Sequence, residues 1–333
     1  MAAELIQLGE NMWKSPGAKR GGVVPVNIKD PAIAEDIERY YLFQEELGFD
    51  ETTWREVSAR FRAVGVNTIV IDLGEGIVYP SHPELAIRGS WSPKKLRIEL
   101  DRLHAMGFET IPKLNFSCGH NAWMGPWRRM VASEPYYRFC EDLIADVVEI
   151  FDRPRFFHIG ADEEKLPPQT SKAEYVCVRQ GNLWFHDVEH LIRTIEQHGV
   201  RAWMWADVFW DQPELFVKRI PRSVLVSNWY YRAMSDETLR ARGEKWFQES
   251  VKRRDAYLGL DQAGYEQVPC ASNFYDVPRV MEDTGVYARE KLSPERVKGL
   301  MMASWYGMRP VVKERLLAGA GQLAEAVRLY RKN

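Results

Sequence analysis

Short aliphatic and β-branched runs alternate along the whole chain with longer stretches whose apolar residues recur every three or four positions. The short runs at residues 5–9, 68–73, 110–115, 156–160, 201–206, 223–228, 267–272 and 299–304 read as strands. Between them, residues 52–64 set Trp54, Val57, Phe61 and Val64 on one helical face. Ser92 as N-cap and Pro93 in the first turn open a second helix carrying Leu96, Ile98, Leu100 and Leu103. Residues 136–150 and 185–196 repeat the pattern, and 311–330 closes the chain as a long helix. Strands that each lead into helical sequence predict an α/β fold with a parallel sheet and crossover helices. Eight such units close a (β/α)8 TIM barrel, which places chemistry at the C-terminal ends of the strands.

The rival architecture is an open doubly wound sheet, which a glycine-rich phosphate loop after the first strand would favour. Gly9-Glu10-Asn11-Met12-Trp13 is not such a loop, and Gly21-Gly22 runs into Val23-Val24-Pro25 rather than a helix. No internal repeat, low-complexity tract or Pro/Ser-rich linker marks a boundary, so residues 1–333 are expected to form one barrel domain.

Composition narrows the partners. The 333 residues are 45% hydrophobic and 28% charged with a net charge of −2, an ordinary globular balance that argues against nucleic acid or an anionic membrane as partner. Twelve tryptophans exceed what core packing alone needs, so some are expected to line a pocket or a homodimer interface. Cys118, Cys140, Cys177 and Cys270 are scattered without a CxxC spacing and read as reduced thiols. No basic segment followed by a long apolar run opens the chain, which suggests a cytoplasmic protein unless a leader has been removed.

On a barrel, residues just past each strand become neighbours: Trp13, Glu75, Asn115 with His120, Asp162 with Glu163, Trp205 with Asp207, Trp229, Tyr275 and Trp305. Indole faces pack on the C–H-rich faces of sugar rings and carboxylates bond hydroxyls, so the mixture suits a carbohydrate. Taken singly, each Trp could be core, and Asp162-Glu163 could be an acidic helix start favoured by the dipole. A competing motif, His186-Asp187-Val188-Glu189-His190, fits the inverted zinc-protease pattern. Leu183, Phe185, Val188 and Leu191 make an amphipathic helix with a solvated His pair the simpler account, and no metal or other cofactor is expected.

These segments resemble the family 20 glycoside hydrolases, which include the β-N-acetylhexosaminidases. His158-Ile159-Gly160-Ala161-Asp162-Glu163 is similar to the family's His-x-Gly-Gly-Asp-Glu, with one Gly changed to Ala. Ile111-Pro112-Lys113-Leu114-Asn115-Phe116-Ser117-Cys118-Gly119-His120 looks like its third-strand pattern with one residue inserted, and Tyr79-Pro80-Ser81-His82-Pro83-Glu84-Leu85 echoes its order of features. Trp205, Trp229 and Trp305 fall where the family places sugar-binding tryptophans, and Ser272-Asn273-Phe274-Tyr275 resembles the segment with its catalytic Tyr. The resemblance implies a retaining enzyme in which the substrate's own 2-acetamido group attacks the anomeric carbon. Glu163 would be the acid/base, with a pKa expected to be raised by burial and by Asp162. Asp162 would orient the acetamido group and Tyr275 would bond its oxygen. His120, Trp205, Asp207, Trp229, Trp305, Asn115 and Glu75 would bind the sugar.

The pattern also departs from the family. An Arg usually ends the first strand and a Glu follows the eighth-strand Trp; here Glu10-Asn11 and Tyr306-Gly307 stand there. Lys113 and Asn115 replace third-strand acids, Asp72 or Glu75 only loosely matches the second-strand His and Asp, and the extra N-terminal α/β domain that family members often have is not expected within these residues. An altered sugar or linkage is the natural expectation. A silent sugar-binding barrel and a glycosidase for a sugar without an acetamido group remain open.

Overall fold

Eight parallel strands surround a common interior: β1 Ala2–Gln7, β2 Thr68–Asp72, β3 Glu109–Lys113, β4 Phe156–His158, β5 Arg201–Trp205, β6 Leu225–Ser227, β7 Cys270–Ala271 and β8 Leu300–Ala303. The computed structural model describes residues 1–12, 28–40, 42–164, 177, 179–275 and 277–332. Sheet order is β6-β5-β4-β3-β2-β1-β8-β7. Bonds from Val268 N to Val226 O (2.9 Å) and from Cys270 N to Asn228 O (3.0 Å) bring β6 beside β7, so the sheet closes as a TIM barrel.

Alternate residues of each strand fill the barrel. Ala3, Leu5, Val70, Ile111, Phe156, Trp203, Trp205, Leu225, Val268, Cys270, Met301 and Ala303 form the inner cluster. Their strand neighbours face out and pack beneath the helices. The first strand begins at Ala2 rather than residue 5, because Ala3 through Gln7 stand in register with Thr68 through Asp72. Tertiary pairing overrides the weak strand preference of Ala-Ala-Glu. The ladder stops early since the Asp72 carbonyl takes both Leu8 N (2.8 Å) and Gly9 N (3.2 Å).

The predicted helices form as Glu51–Ala63, Pro93–Ala105, Glu134–Ile150, Asn182–Gln197 and Lys313–Tyr330. Their starts follow side-chain chemistry: Asp50, Ser92 and Ser133 accept from Thr53 N (2.6 Å), Lys95 N (3.2 Å) and Tyr136 N (3.4 Å). Two residues assigned to apolar faces point outward instead, Ile98 at 60% and Leu183 at 45% exposure. Leu96, Leu100 and Leu103 follow the 3.6-residue period and bury, whereas Ile98 lies two residues from Leu96, about 200° around the axis.

Candidate active site

The site is built outward from the turn after β4. Gly160, Ala161 and Glu163 all have left-handed φ (69°, 67° and 51°), which swings the two acids out of the strand direction. Gly160 is forced twice over. A Cβ there would overlap the Asn115 side chain and lie 2.9 Å from the Asn115 Cα. That close approach lets Asn115 reach across from β3, where Ser117 fixes its amide by donating from N (3.1 Å) and Oγ (2.7 Å) to Asn115 Oδ1. The opposite end, Nδ2, then donates to Asp162 Oδ1 at 3.0 Å.

His120 joins the two acids. Its Nε2 lies 3.3 Å from Asp162 Oδ2 and 3.1 Å from Glu163 Oε2, with all three groups largely shielded from water. Burial disfavours the imidazolium, but the charges and hydrogen bonds of Asp162 and Glu163 outweigh it and raise the His120 pKa to about 9. Burial likewise works against the Asp162 carboxylate, yet His120, Lys113 and Asn115 hold its pKa well below the usual carboxylate range. Lys113, fully buried at the end of β3, is ion-paired with Asp72 on β2 and contributes to that field from inside the barrel. His158 stays neutral, pushed down by burial and by Lys113, and its Nδ1 accepts the Gly160 N–H at 3.0 Å.

Two further groups set the acid-bearing loop. Asp207 Oδ2, beyond β5, accepts the Glu163 N–H at 3.1 Å. Arg179 is buried and bonds Glu164, Asp187 Oδ2 (3.1 Å) and the Phe116 carbonyl (3.2 Å), tying together the loops after β3 and β4 and the helix Asn182–Gln197. Glu164 Oε1 also takes the Cys118 N–H at 3.0 Å. Glu75 is placed differently from the acid pair. Its Oε1 accepts Glu10 N (2.7 Å) and Asn11 N (3.0 Å), which fixes the turn after β1, and burial raises its pKa to about 7.

Aromatic side chains continue the mouth from β5 to β8. Trp205 is buried, its ring 6.0 Å from Trp305, and Trp305 Nε1 donates to Tyr231 Oη at 3.1 Å. Trp305 itself has a left-handed φ of 57°. Tyr231 stacks on Trp229 at 5.2 Å and lies 6.5 Å from Tyr275, while Trp210 meets Trp229 edge-on at 4.6 Å. Tyr275 is 50% exposed at the rim, and partial burial together with the Glu163 charge raises the pKa of its phenol. The indole N–H groups of Trp205 and Trp229 are buried without an acceptor among the described residues, donors for which a bound hydroxyl would be a natural partner. Trp13 lies outside the described residues.

Residues 115–325 match the model of the glycosyl hydrolase family 20 catalytic domain, well over half the chain. The chain belongs to glycosyl hydrolase family 20. The matched span starts at Asn115, so the acid pair and the aromatic wall fall inside it, while β1, β2 and β3 lie before it. Solved structures of this family share the fold at low identity. A GH20 exo-β-N-acetylglucosaminidase from Vibrio harveyi, in complex with N-acetylglucosamine, has a TM-score of 0.57 at 15% identity and covers 85% of this chain. This chain spans 52% of that structure's length. Dispersin B gives 0.53 at 16% identity, with 84% of this chain and 94% of its own covered. A Streptomyces plicatus N-acetyl-β-hexosaminidase in complex with Thio-NAglucal gives 0.56 at 13%, covering 84% and 62%. Among curated proteins, none matches the sequence.

In this family 20 member a buried ion-paired trio ties the segments beyond β1 and β8 together. Glu10 follows β1 and Arg309 follows Trp305, and Arg309 Nη1 bonds both Glu10 carboxylate oxygens at 2.5 Å. Asp36 takes the rest of the guanidinium, so this buried cation is fully committed to the protein. Sequence reading passed over this trio, whose partners lie 273 and 299 residues apart. It also passed over Tyr231, although its spacing two residues after Trp229 is the alternation of an extended segment. The zinc-like motif is otherwise engaged: Glu189 pairs with Arg219, and His190 Nε2 lies 3.1 Å from Glu141. Among the described residues no group of three or more His, Cys, Asp or Glu is disposed to hold a metal ion, and no helix is long and apolar enough to cross a membrane.

Proposed function

We propose that this glycosidase hydrolyses glycosides of 2-acetamido sugars with retention, using the substrate's acetamido oxygen as nucleophile. The observation that carries the reading is the pair of carboxylates joined by one imidazole: Asp162 and Glu163 both lie within 3.3 Å of His120 Nε2. Their environments differ in the way two distinct roles require. Asp162 is buried, held by Asn115 and kept ionised, as a group must be to accept the amide N–H and stabilise the positive charge that develops on the amide as its oxygen attacks. Glu163 is more open, with its side chain 23% exposed, and so is placed to meet the glycosidic oxygen and then a water.

In the first step Glu163 protonates the leaving oxygen while the acetamido oxygen bonds to the anomeric carbon, giving an oxazolinium-like intermediate. In the second, Glu163 removes a proton from water, which opens that ring from the same face as the departed group. Tyr275 at the rim would bond the acetamido oxygen, and Trp205, Trp229 and Trp305 would wall the sugar and exclude water. A thiazoline mimic of the intermediate tests the reading. Inhibition of aryl 2-acetamido-glycoside hydrolysis is expected, with Glu163→Gln reducing turnover by ~100-fold or more. Hydrolysis that ignores the thiazoline, or that survives Glu163→Gln, would count against it.

A further inference from the structure

Buried or half-buried arginines in this chain are generally neutralised. Arg309 has Glu10 and Asp36, Arg179 has Glu164 and Asp187, Arg219 has Glu189, and Arg254 has Asp236 and Asp255. One departure among the described residues stands beside the aromatic wall. Arg232, five residues beyond β6, is half-buried, lies 3.7 Å from the centre of the Trp246 ring, and donates to the neutral Ser250 Oγ at 2.9 Å. Arg242 packs on the same indole at 4.9 Å, and Arg253 lies 4.6 Å over Trp210, the ring that meets Trp229. Among the described residues neither Arg232 nor Arg242 has a carboxylate in ion-pairing distance, and Arg253 has only the exposed Glu249 at 3.4 Å.

Cation–π contacts favour such guanidiniums but do not cancel their charge. Burial, and after it the neighbouring Arg253 charge, pushes the Arg232 pKa down. Arg253 reaches the candidate site through Trp210, which meets Trp229, and Tyr231, next to Arg232 in the chain, stacks on the same Trp229. Such a cluster leaves a position for an anion that no carboxylate among the described residues fills.

We propose that the Arg232–Arg253 rim binds an anionic group, a sulfate or a carboxylate, on the saccharide that this site accepts. Arg232 packs on Trp246 and Arg253 on Trp210, and a guanidinium's planar fork of N–H donors matches such groups. The inference rests on the saccharide reading above, and it gives a reason for the altered polar groups near β1 and β8: discrimination is moved to the β6–β7 side.

Calorimetric titration of Glu163→Gln with three disaccharides tests it: a neutral N-acetylglucosamine disaccharide, its 6-sulfate, and N-acetylglucosamine linked to glucuronate. At least one anionic ligand is expected to bind roughly tenfold tighter than the neutral one, with the advantage shrinking in 0.5 M salt. The sulfated and uronate arms distinguish the two anion sources. Adding Arg232→Gln and Arg253→Gln should abolish the advantage while leaving the neutral disaccharide's affinity unchanged, which also reports an intact fold. Equal affinities at the start, or a preference that survives both substitutions, would overturn the proposal; so would an equal fall in neutral binding, which would make the arginines supports of the aromatic wall. Inorganic sulfate provides an arm that needs no sugar pocket. It should raise the melting temperature of the parent more than that of the doubly substituted protein. Sulfate response without any disaccharide binding would sink the saccharide reading and keep the anion site, whereas loss of both would sink the anion site.

Discussion

Removing the charge between the two acids should cost stability in a way that depends on pH. His120 has an ordinary pKa near 6.5 when unfolded and about 9 in the folded chain. A raised folded pKa gives stabilisation that is fully present below the unfolded value and is lost as pH rises through the folded one. The 2.5-unit gap between those values corresponds to about 3 kcal/mol at pH 6, falling to about 1 kcal/mol near pH 8 and almost nothing at pH 10. His120→Gln deletes this contribution, removing the cation that bridges Asp162 and Glu163. Urea unfolding followed by tryptophan fluorescence should show wild type exceeding His120→Gln by about 2–3 kcal/mol more at pH 6 than at pH 10. Proton uptake by one carboxyl in the variant accounts for the lower end of that range. Other lysines and tyrosines titrate equally in both proteins and cancel. A difference that is the same at both pH values would refute the charged bridge.

Three other outcomes follow from the same geometry. Gly160→Ala combines a left-handed φ with overlap against Asn115 and should destabilise by about 2–5 kcal/mol in urea, with loss of turnover even where the protein folds. Arg309→Met strands Glu10 and Asp36 as buried acids and should cost about 3–5 kcal/mol; a loss under 1 kcal/mol in denaturant titration would show that the trio is not held as described. Asn115→Asp places a like charge against Asp162, so the acidic limb of the rate profile should move to higher pH by about a unit, since Asp162 works ionised. An unmoved limb would separate Asp162 from that ionisation.

The barrel was legible because strand runs and helix caps are local signals. Ser92-Pro93 starts its helix where the residues say it should, and the runs at 68–73 and 201–206 differ from the strands by one residue at their ends. Local signals failed where partners are distant. The start of β1 is fixed by pairing with β2 and β8, which the residues Ala2-Ala3-Glu4 do not announce. The Asp162-Glu163 pair was visible as two acids after a strand, and His120 as a nearby-loop histidine. Their joint placement on one nitrogen depends on Gly160 and Asn115 interlocking across two strands, which spacing cannot express. The Glu10–Arg309 pair was hidden for the same reason: Glu10 alone looked like the absence of an expected Arg, and its partner lies 299 residues away.

The claim that the substrate supplies the nucleophile is tested most directly by weakening that nucleophile. Aryl glycosides differing only in the number of fluorines on the 2-acetamido methyl group progressively withdraw electrons from the amide oxygen. If this oxygen attacks the anomeric carbon under the control of Asp162, kcat/KM should fall steeply and monotonically from acetyl through difluoroacetyl to trifluoroacetyl. A flat series at undiminished activity would contradict it and return the reaction to a carboxylate nucleophile.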